Sequence, residues 1–130
     1  MPKDPTNLGA LELAILQYLW EEGPHPVKTA HRIVGVSRDI TLNTVQSTMK
    51  RLWEKGLLER EKQGHAYVYS PRITRRDLTE MMVGELIEQV TGSQIDVALQ
   101  AFVDVAERAG DKTLDRLEKL VAARRAGDEE

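Results

Sequence analysis

The stretch from Thr41 to Lys55 reads TLNTVQSTMKRLWEK. At helical spacing it has two chemically different faces. Val45, Thr48, Met49 and Leu52 fall at i, i+3, i+4 and i+7, the period of a helix side packed on a core. Opposite them lie Asn43, Gln46, Ser47 and Lys50, with Thr44 and Arg51 on the flank. Short hydrogen-bonding groups come first along the outward face and cations later. A helix that enters the major groove of DNA needs this order, because its first turns reach base edges and its later turns lie near phosphate. The spacing predicts a recognition helix over Leu42–Glu54, with Gly56 just past its end in left-handed geometry.

The flanking sequence supplies a unit to aim that helix. Upstream, Thr6 or Asn7 is placed to cap a helix that begins near Leu8. Leu8, Leu11, Ile15 and Leu19 form its buried stripe, widened by Leu16 and Trp20, and Gly23-Pro24 stops it after Glu22. Pro26 suits the first position of a short second helix with Val27, Ala30, Ile33 and Val34 on its apolar side and Gly35 as its stop. Ser37–Thr41 is then the turn of a helix-turn-helix. Downstream, Leu57–Lys62 and Ala66–Ser70 read as strands around a turn at Gln63-Gly64, with Tyr67 and Tyr69 on one face. A hairpin in that place makes a winged helix. Its tip carries Lys62 and His65, with Arg60 beside them, and a basic tip suits contact with DNA backbone.

After Pro71 the pattern changes. Thr74-Arg75-Arg76-Asp77 resembles a capping box, and the helix that follows to about Val90 has Leu78, Met81, Met82, Leu86 and Ile87 as its apolar groups. Thr91-Gly92-Ser93 breaks it, and Ser93 is placed to cap a helix carrying Ile95, Ala98, Leu99, Phe102, Val103 and Ala106, which ends at Gly110. A last helix starts at Asp111 or Thr113 and carries Leu114, Leu117, Leu120 and Val121; the tail AGDEE frays. About fifty residues rarely supply a sufficient core of their own. The surplus apolar surface predicts a homodimer, with Leu78, Met82, Leu99, Phe102, Leu114, Leu117 and Val121 in the seam. The fold class is therefore mainly α. Residues 1–72 form a winged helix-turn-helix of three helices and a β-hairpin, and residues 73–130 form a three-helix dimerisation region.

Composition fits this reading. In 130 residues, 41% apolar content suffices for a core and 30% charge is ordinary. The net charge of −3 hides a segregation: residues 1–23 carry −3, residues 24–76 carry +7 and residues 77–130 carry −7. A basic middle beside an acidic tail suggests a nucleic-acid surface joined to something that stays off nucleic acid. No apolar run is long enough to span a bilayer and MPKDPTNLG lacks the apolar stretch of a signal peptide, so the expected location is the cytoplasm. With no cysteine there are no disulfides, thiolate metal sites or cysteine nucleophiles. His25, His31 and His65 stand at unrelated spacings, and no phosphate loop, nucleophile elbow or paired-carboxylate motif is present. No enzymatic activity, metal or cofactor is expected.

The segments LGALELAILQYLWEEG and TLNTVQSTMKRLWEKGLLEREKQGHAYVYSP resemble the penicillinase-repressor and methicillin-repressor family, closely from Leu8 to Pro71 and more loosely through the C-terminal helices. The spacing from Leu19-Trp20 through Thr44-Val45 to Arg51-Leu52, Lys55-Gly56-Leu57 and Tyr69 carries the resemblance. It implies a homodimeric winged-helix repressor of promoters with palindromic operators. The third helix would read the major groove and the C-terminal helices would form the dimer. It also implies a membrane sensor-protease that responds to β-lactams and relieves repression by cutting a bond before a Phe, and Ala101-Phe102 is the similar position. Leu42 and Asn43 stand where the family more usually has Tyr and Thr, His65 where a wing Arg is common, and Ala101 where Asn is usual. Asn43 pairs well with adenine N6 and N7, so the resemblance allows a shifted operator preference. The copper-responsive branch of the family uses C-terminal cysteines, which this chain lacks.

On these grounds Asn43, Thr44, Gln46 and Ser47 are the candidate base or phosphate contacts, and Lys50, Arg51, Lys62 and His65 the candidate phosphate contacts. The alternative from another class is a protein-interaction module on the same scaffold, since a winged helix does not guarantee DNA binding.

Overall fold

The structure, a computed structural model, describes residues 8–92 and 94–128. The expected caps at Thr6 or Asn7 and at Ser93, and the last residues of the tail, lie outside the described residues. Among the described residues, six α-helices and a small three-stranded antiparallel sheet form two compact units that divide between Val83 and Gly84.

The first unit opens with α1, Ala10–Glu22. Gly9 sits at its N-cap in extended geometry, and the Glu12 carboxylate accepts from the Gly9 N–H at 3.4 Å. Ala14, Ile15, Leu16 and Leu19 are its buried side, and Gly23, with φ +86°, ends it as its N–H donates to the Leu19 carbonyl at 2.9 Å. His25–Pro26 then forms a two-residue strand, β1. This strand was not expected from the sequence. Pro26 stands at the N-cap of the next helix, and its own strand lies at the edge of the sheet, where a missing N–H is tolerated.

The second helix, α2 (Val27–Ala30), runs on through a π turn, His31–Gly35, and a 3-10 turn, Val36–Arg38. Gly35 is not its stop. It is buried in right-handed geometry, and the stop is Asp39 with φ 56° and ψ 44°. Asp is among the few residues that enter the left-handed region readily. Ile33, expected inside, is 51% exposed, because the π turn rotates the face presented after Ala30. Gly35 serves close packing instead. A Cβ there would meet His31 Cδ2 at 2.7 Å, Val45 Cγ2 at 3.0 Å and the Ile40 carbonyl oxygen at 3.3 Å. His31 is fixed, since its Nε2 donates to that same carbonyl at 2.9 Å. Gly35→Ala is therefore expected to lower stability by about 1–3 kcal/mol through overpacking, which exceeds the helix propensity it gains. Urea unfolding checks this, and an unchanged or raised midpoint would mean that the two helices can separate freely here.

The third helix, α3, spans Leu42–Glu54 as expected. Thr41 caps it, accepting from the Thr44 N–H at 3.2 Å. It closes in a Schellman arrangement: Leu57 N–H donates to the Leu52 carbonyl and Gly56 N–H to the Trp53 carbonyl, both at 3.0 Å, with Gly56 at φ +82°. Val45, Thr48, Met49 and Leu52 are buried. An ion pair of 2.9 Å between Lys55 and Glu12 ties the end of α3 to the start of α1.

The wing strands are β2, Leu58–Gln63, and β3, Ala66–Pro71. They pair antiparallel, with Gln63 opposite Ala66, so the turn is Gly64-His65 rather than Gln63-Gly64. Gly64 at φ +65° takes the position that demands it. β3 is central, between β1 and β2. Thr74 then caps α4, Arg75–Thr91, accepting from the Asp77 N–H at 3.0 Å.

The early turns of α4 belong to the first unit. Leu78, placed in the dimer seam by the sequence reading, is only 2% exposed within the core of Ile15, Leu16, Leu19, Met49, Leu52 and Leu58, and Met82 packs against that core. Two expectations are corrected together. Leu78 and Met82 are spent on the winged helix, and the compact units meet inside α4 and not at residues 72 and 73. The physical reason is that the core of the wing domain needs a lid beside Trp20, whose indole N–H already donates to the Ile73 carbonyl at 2.9 Å.

The second unit contains the end of α4, then α5, Ile95–Arg108, and α6, Asp111–Asp128. Ala109 and Gly110 connect α5 to α6, and the two helices pack on each other.

Candidate nucleic-acid interface

The buried side of α3 fixes what its other side presents. With Met49 and Leu52 fully buried, Asn43, Gln46, Ser47 and Lys50 are all exposed. They form one outward surface in the expected order of short polar groups, then a cation. Thr44 and Arg51 flank it and are exposed, but each has an internal partner. The Thr44 hydroxyl lies 2.9 Å from that of Thr41 within the cap. Arg51 Nη2 donates to Thr48 Oγ1 at 3.3 Å, and Thr48 in turn donates to the Thr44 carbonyl at 2.7 Å. Arg51 is thereby braced on its own helix, whereas Lys50 has no such brace among the described residues.

The wing stands beside α3. Lys62 and His65 are exposed, His65 in the turn itself. A groove of about 460 Å³ runs between the start of α2, the start of α3 and the wing, lined by Lys28, Leu42, Gln46, His65 and Tyr67 among others. It brings Gln46 of the helix and His65 of the wing onto one depression. Sequence reasoning missed Lys28 here. The only signal for it was its membership of the +7 segment, which does not place a residue.

Sequence reasoning also left Arg60 and Trp53 without a shared role. Arg60 lies opposite Tyr69 in the sheet, and its Nη1 donates to the Tyr69 hydroxyl at 3.3 Å. Its guanidinium carbon is 3.6 Å from the centroid of the Trp53 ring and 4.1 Å from that of Tyr67. The other two histidines are turned inward to the backbone: His25 Nδ1 is 2.9 Å from the Gly23 carbonyl, and His31 is bound to that of Ile40.

In the second unit, Leu99, Phe102, Leu117 and Val121 line one open apolar cleft of about 590 Å³ between α5 and α6. Leu114 is half-buried and does not line it. Among the described residues from Gly84 onward, only Ala98 is buried. Ala101 and Phe102 are exposed and lie well inside α5. No helix among the described residues is long and apolar enough to cross a membrane.

Comparison with known proteins gives a consistent picture. The family model described as penicillinase repressor matches residues 8–123. A transcriptional regulator BlaI of Mycobacterium tuberculosis is 30% identical over 124 residues, which cover 94% of this chain and 88% of that protein. The penicillinase repressor of Bacillus licheniformis is 24% identical over 114 residues, covering 86% of this chain and 87% of that one. Among solved structures, the DNA-binding domain of the repressor BlaI superposes with a TM-score of 0.52 at 24% identity, covering 58% of this chain and 92% of that domain. That last likeness speaks to the fold.

Proposed function

The chain belongs to the penicillinase repressor family, and from that premise we propose that it is a transcriptional repressor that binds a palindromic DNA operator as a homodimer. The observation that carries the reading is the exposed surface Asn43, Gln46, Ser47 and Lys50 on a helix whose other side is fully buried, with Lys62 and His65 of the wing beside it. The helix enters the major groove, Asn43 and Ser47 face base edges, and Lys50 with Lys62 neutralises phosphates. Thr44 and Arg51 contribute less than their neighbours, because each already has a partner within the helix. His65, in the turn of the wing, adds a hydrogen-bonding group there.

The second unit supports the homodimer reading. A unit whose described residues bury only Ala98, and which leaves Leu99, Phe102 and Val121 open around an apolar cleft, has its core supplied by a second copy. The symmetric pair then sets two recognition helices about one helical turn of DNA apart, or a multiple of it. Occupancy of a promoter by the dimer blocks polymerase, and the site of action is the cytoplasm. Relief by a membrane sensor-protease would act at Ala101-Phe102. The bond lies inside α5, so it is cut only when that helix opens locally.

Retention on duplex DNA tests the reading. A handful of phosphate contacts per dimer gives a steep loss of affinity with salt. No retention at low salt would sink the proposal and favour a protein-interaction module. Asn43→Ala and Ser47→Ala are expected to reduce sequence preference by about 1–3 kcal/mol each, whereas Lys50→Ala weakens all sequences alike. Equal loss on selected and random duplexes for Asn43→Ala would show that Asn43 does not read bases.

A further inference from the structure

Arg60 is a cation on the wing of a protein read as binding DNA, and it is used inward. Its guanidinium carbon lies over two rings, 3.6 Å from the centroid of Trp53 and 4.1 Å from that of Tyr67, and its Nη1 donates to the Tyr69 hydroxyl at 3.3 Å. Trp53 belongs to the last turn of α3 and Tyr67 to β3. The guanidinium therefore bridges the recognition helix and the wing. Trp53 remains 37% exposed, so its ring is a wall of this clamp more than a member of the core.

We propose that Arg60 is a positioning residue for DNA binding: clamped between Trp53 and Tyr67, it locks the wing to the end of the recognition helix. The inference rests on the DNA-binding reading above. Lys62 lies on the same side of β2 as Arg60, one pleat nearer the turn, and His65 is in the turn. Holding Arg60 fixed holds both groups at a set distance from Asn43, Gln46 and Ser47. Major-groove reading and wing contact are then made in one register, and no ordering of the wing is needed on binding. A planar, delocalised cation suits the place, because it stacks on two rings at once, and an ammonium does not. Lys62, exposed and with no such partner among the described residues, keeps the phosphate role.

The test uses the full chain and a duplex selected from a random pool by retention on the wild-type protein. Arg60→Lys, Arg60→Gln and Tyr67→Leu are each expected to lower affinity roughly tenfold while the slope of log affinity against log salt stays that of the wild type. Lys62→Ala, as a phosphate contact, makes that slope shallower by about one. In the free protein, the indole N–H resonance of Trp53, assigned with Trp53→Phe, shifts in Arg60→Lys. Tyr67→Leu keeps the arginine and tests the same clamp should Arg60→Lys misfold. A wild-type affinity in Arg60→Lys with a shallower slope in Arg60→Gln would make Arg60 a phosphate contact and overturn the proposal. An unmoved Trp53 resonance beside normal DNA binding would overturn the clamp alone. Absence of duplex binding by the wild type would instead remove the DNA reading, and the free-protein resonance would still report on the contact.

Discussion

Leu99→Asp is expected to give monomers by light scattering and to reduce affinity for a two-half-site duplex by roughly 10²–10⁴, the advantage that a linked pair of sites has over one. Leu99 is 54% exposed and lines the cleft between α5 and α6, so a charge there leaves the packing within one copy untouched. In the proposed dimer the same side chain becomes buried, and an unpaired carboxylate in an apolar seam is strongly unfavourable. Leu114 and Leu117 are poorer probes, because both are already half-buried within the unit and their replacement would disturb α6 itself. Val121→Asp should repeat the result from the other helix, since Val121 lines the same cleft and is exposed. Helix content by circular dichroism separates dissociation from unfolding of the chain. A dimer mass retained in both variants would place the interface on some other surface. Affinity for a single half-site should fall little, because α3 and the wing lie in the other compact unit.

The winged helix was readable from the sequence because its signals are periodic. The spacing of Val45, Thr48, Met49 and Leu52 fixed the buried side of α3, and with it every exposed candidate on the opposite side. The left-handed Gly56 marked its C-terminal end, whereas the cap at Thr41 came only with the structure. What escaped had no periodic signature. β1 is two residues long and includes a proline, and its existence depends on pairing with Tyr69 and Val68 far along the chain. Gly35 looked like a stop, but it is small because Val45 and Ile40 come close to it, which is a tertiary fact. The turn differed by a single residue: a turn at Gln63-Gly64 sets Arg60 opposite Tyr67, whereas the turn at Gly64-His65 sets it opposite Tyr69, whose hydroxyl it reaches. Leu78 was misplaced because amphipathic spacing shows that a residue is buried without saying against what. It lies on a helix whose two halves serve different units.

The two sides of α3 should also separate in their effects. Leu52→Ala is expected to reduce unfolding free energy by about 2–5 kcal/mol, the range for deleting a fully buried leucine when the cavity cannot close. Closure is hindered here, since Leu52 is 0% exposed and sits among Ile15, Met49 and Leu58, themselves buried on three elements. Small domains have only about 5–15 kcal/mol in total, so the winged helix would be left marginal, with a fall of roughly 4–8 °C in Tm per kcal/mol. Ser47→Ala, on the exposed side and one turn earlier, should change stability by no more than about 0.5 kcal/mol. Binding gives the opposite order. Measured well below its Tm, Leu52→Ala should keep the ratio of affinities for selected and random duplexes, because it alters no group facing DNA, whereas Ser47→Ala lowers that ratio. A lost preference in Leu52→Ala at temperatures where it is fully folded would show that the recognition surface is set by fine packing beneath α3 and not by the exposed side chains alone. In that event the side chains facing the groove would be necessary for reading the operator, but their aim would be written in the core.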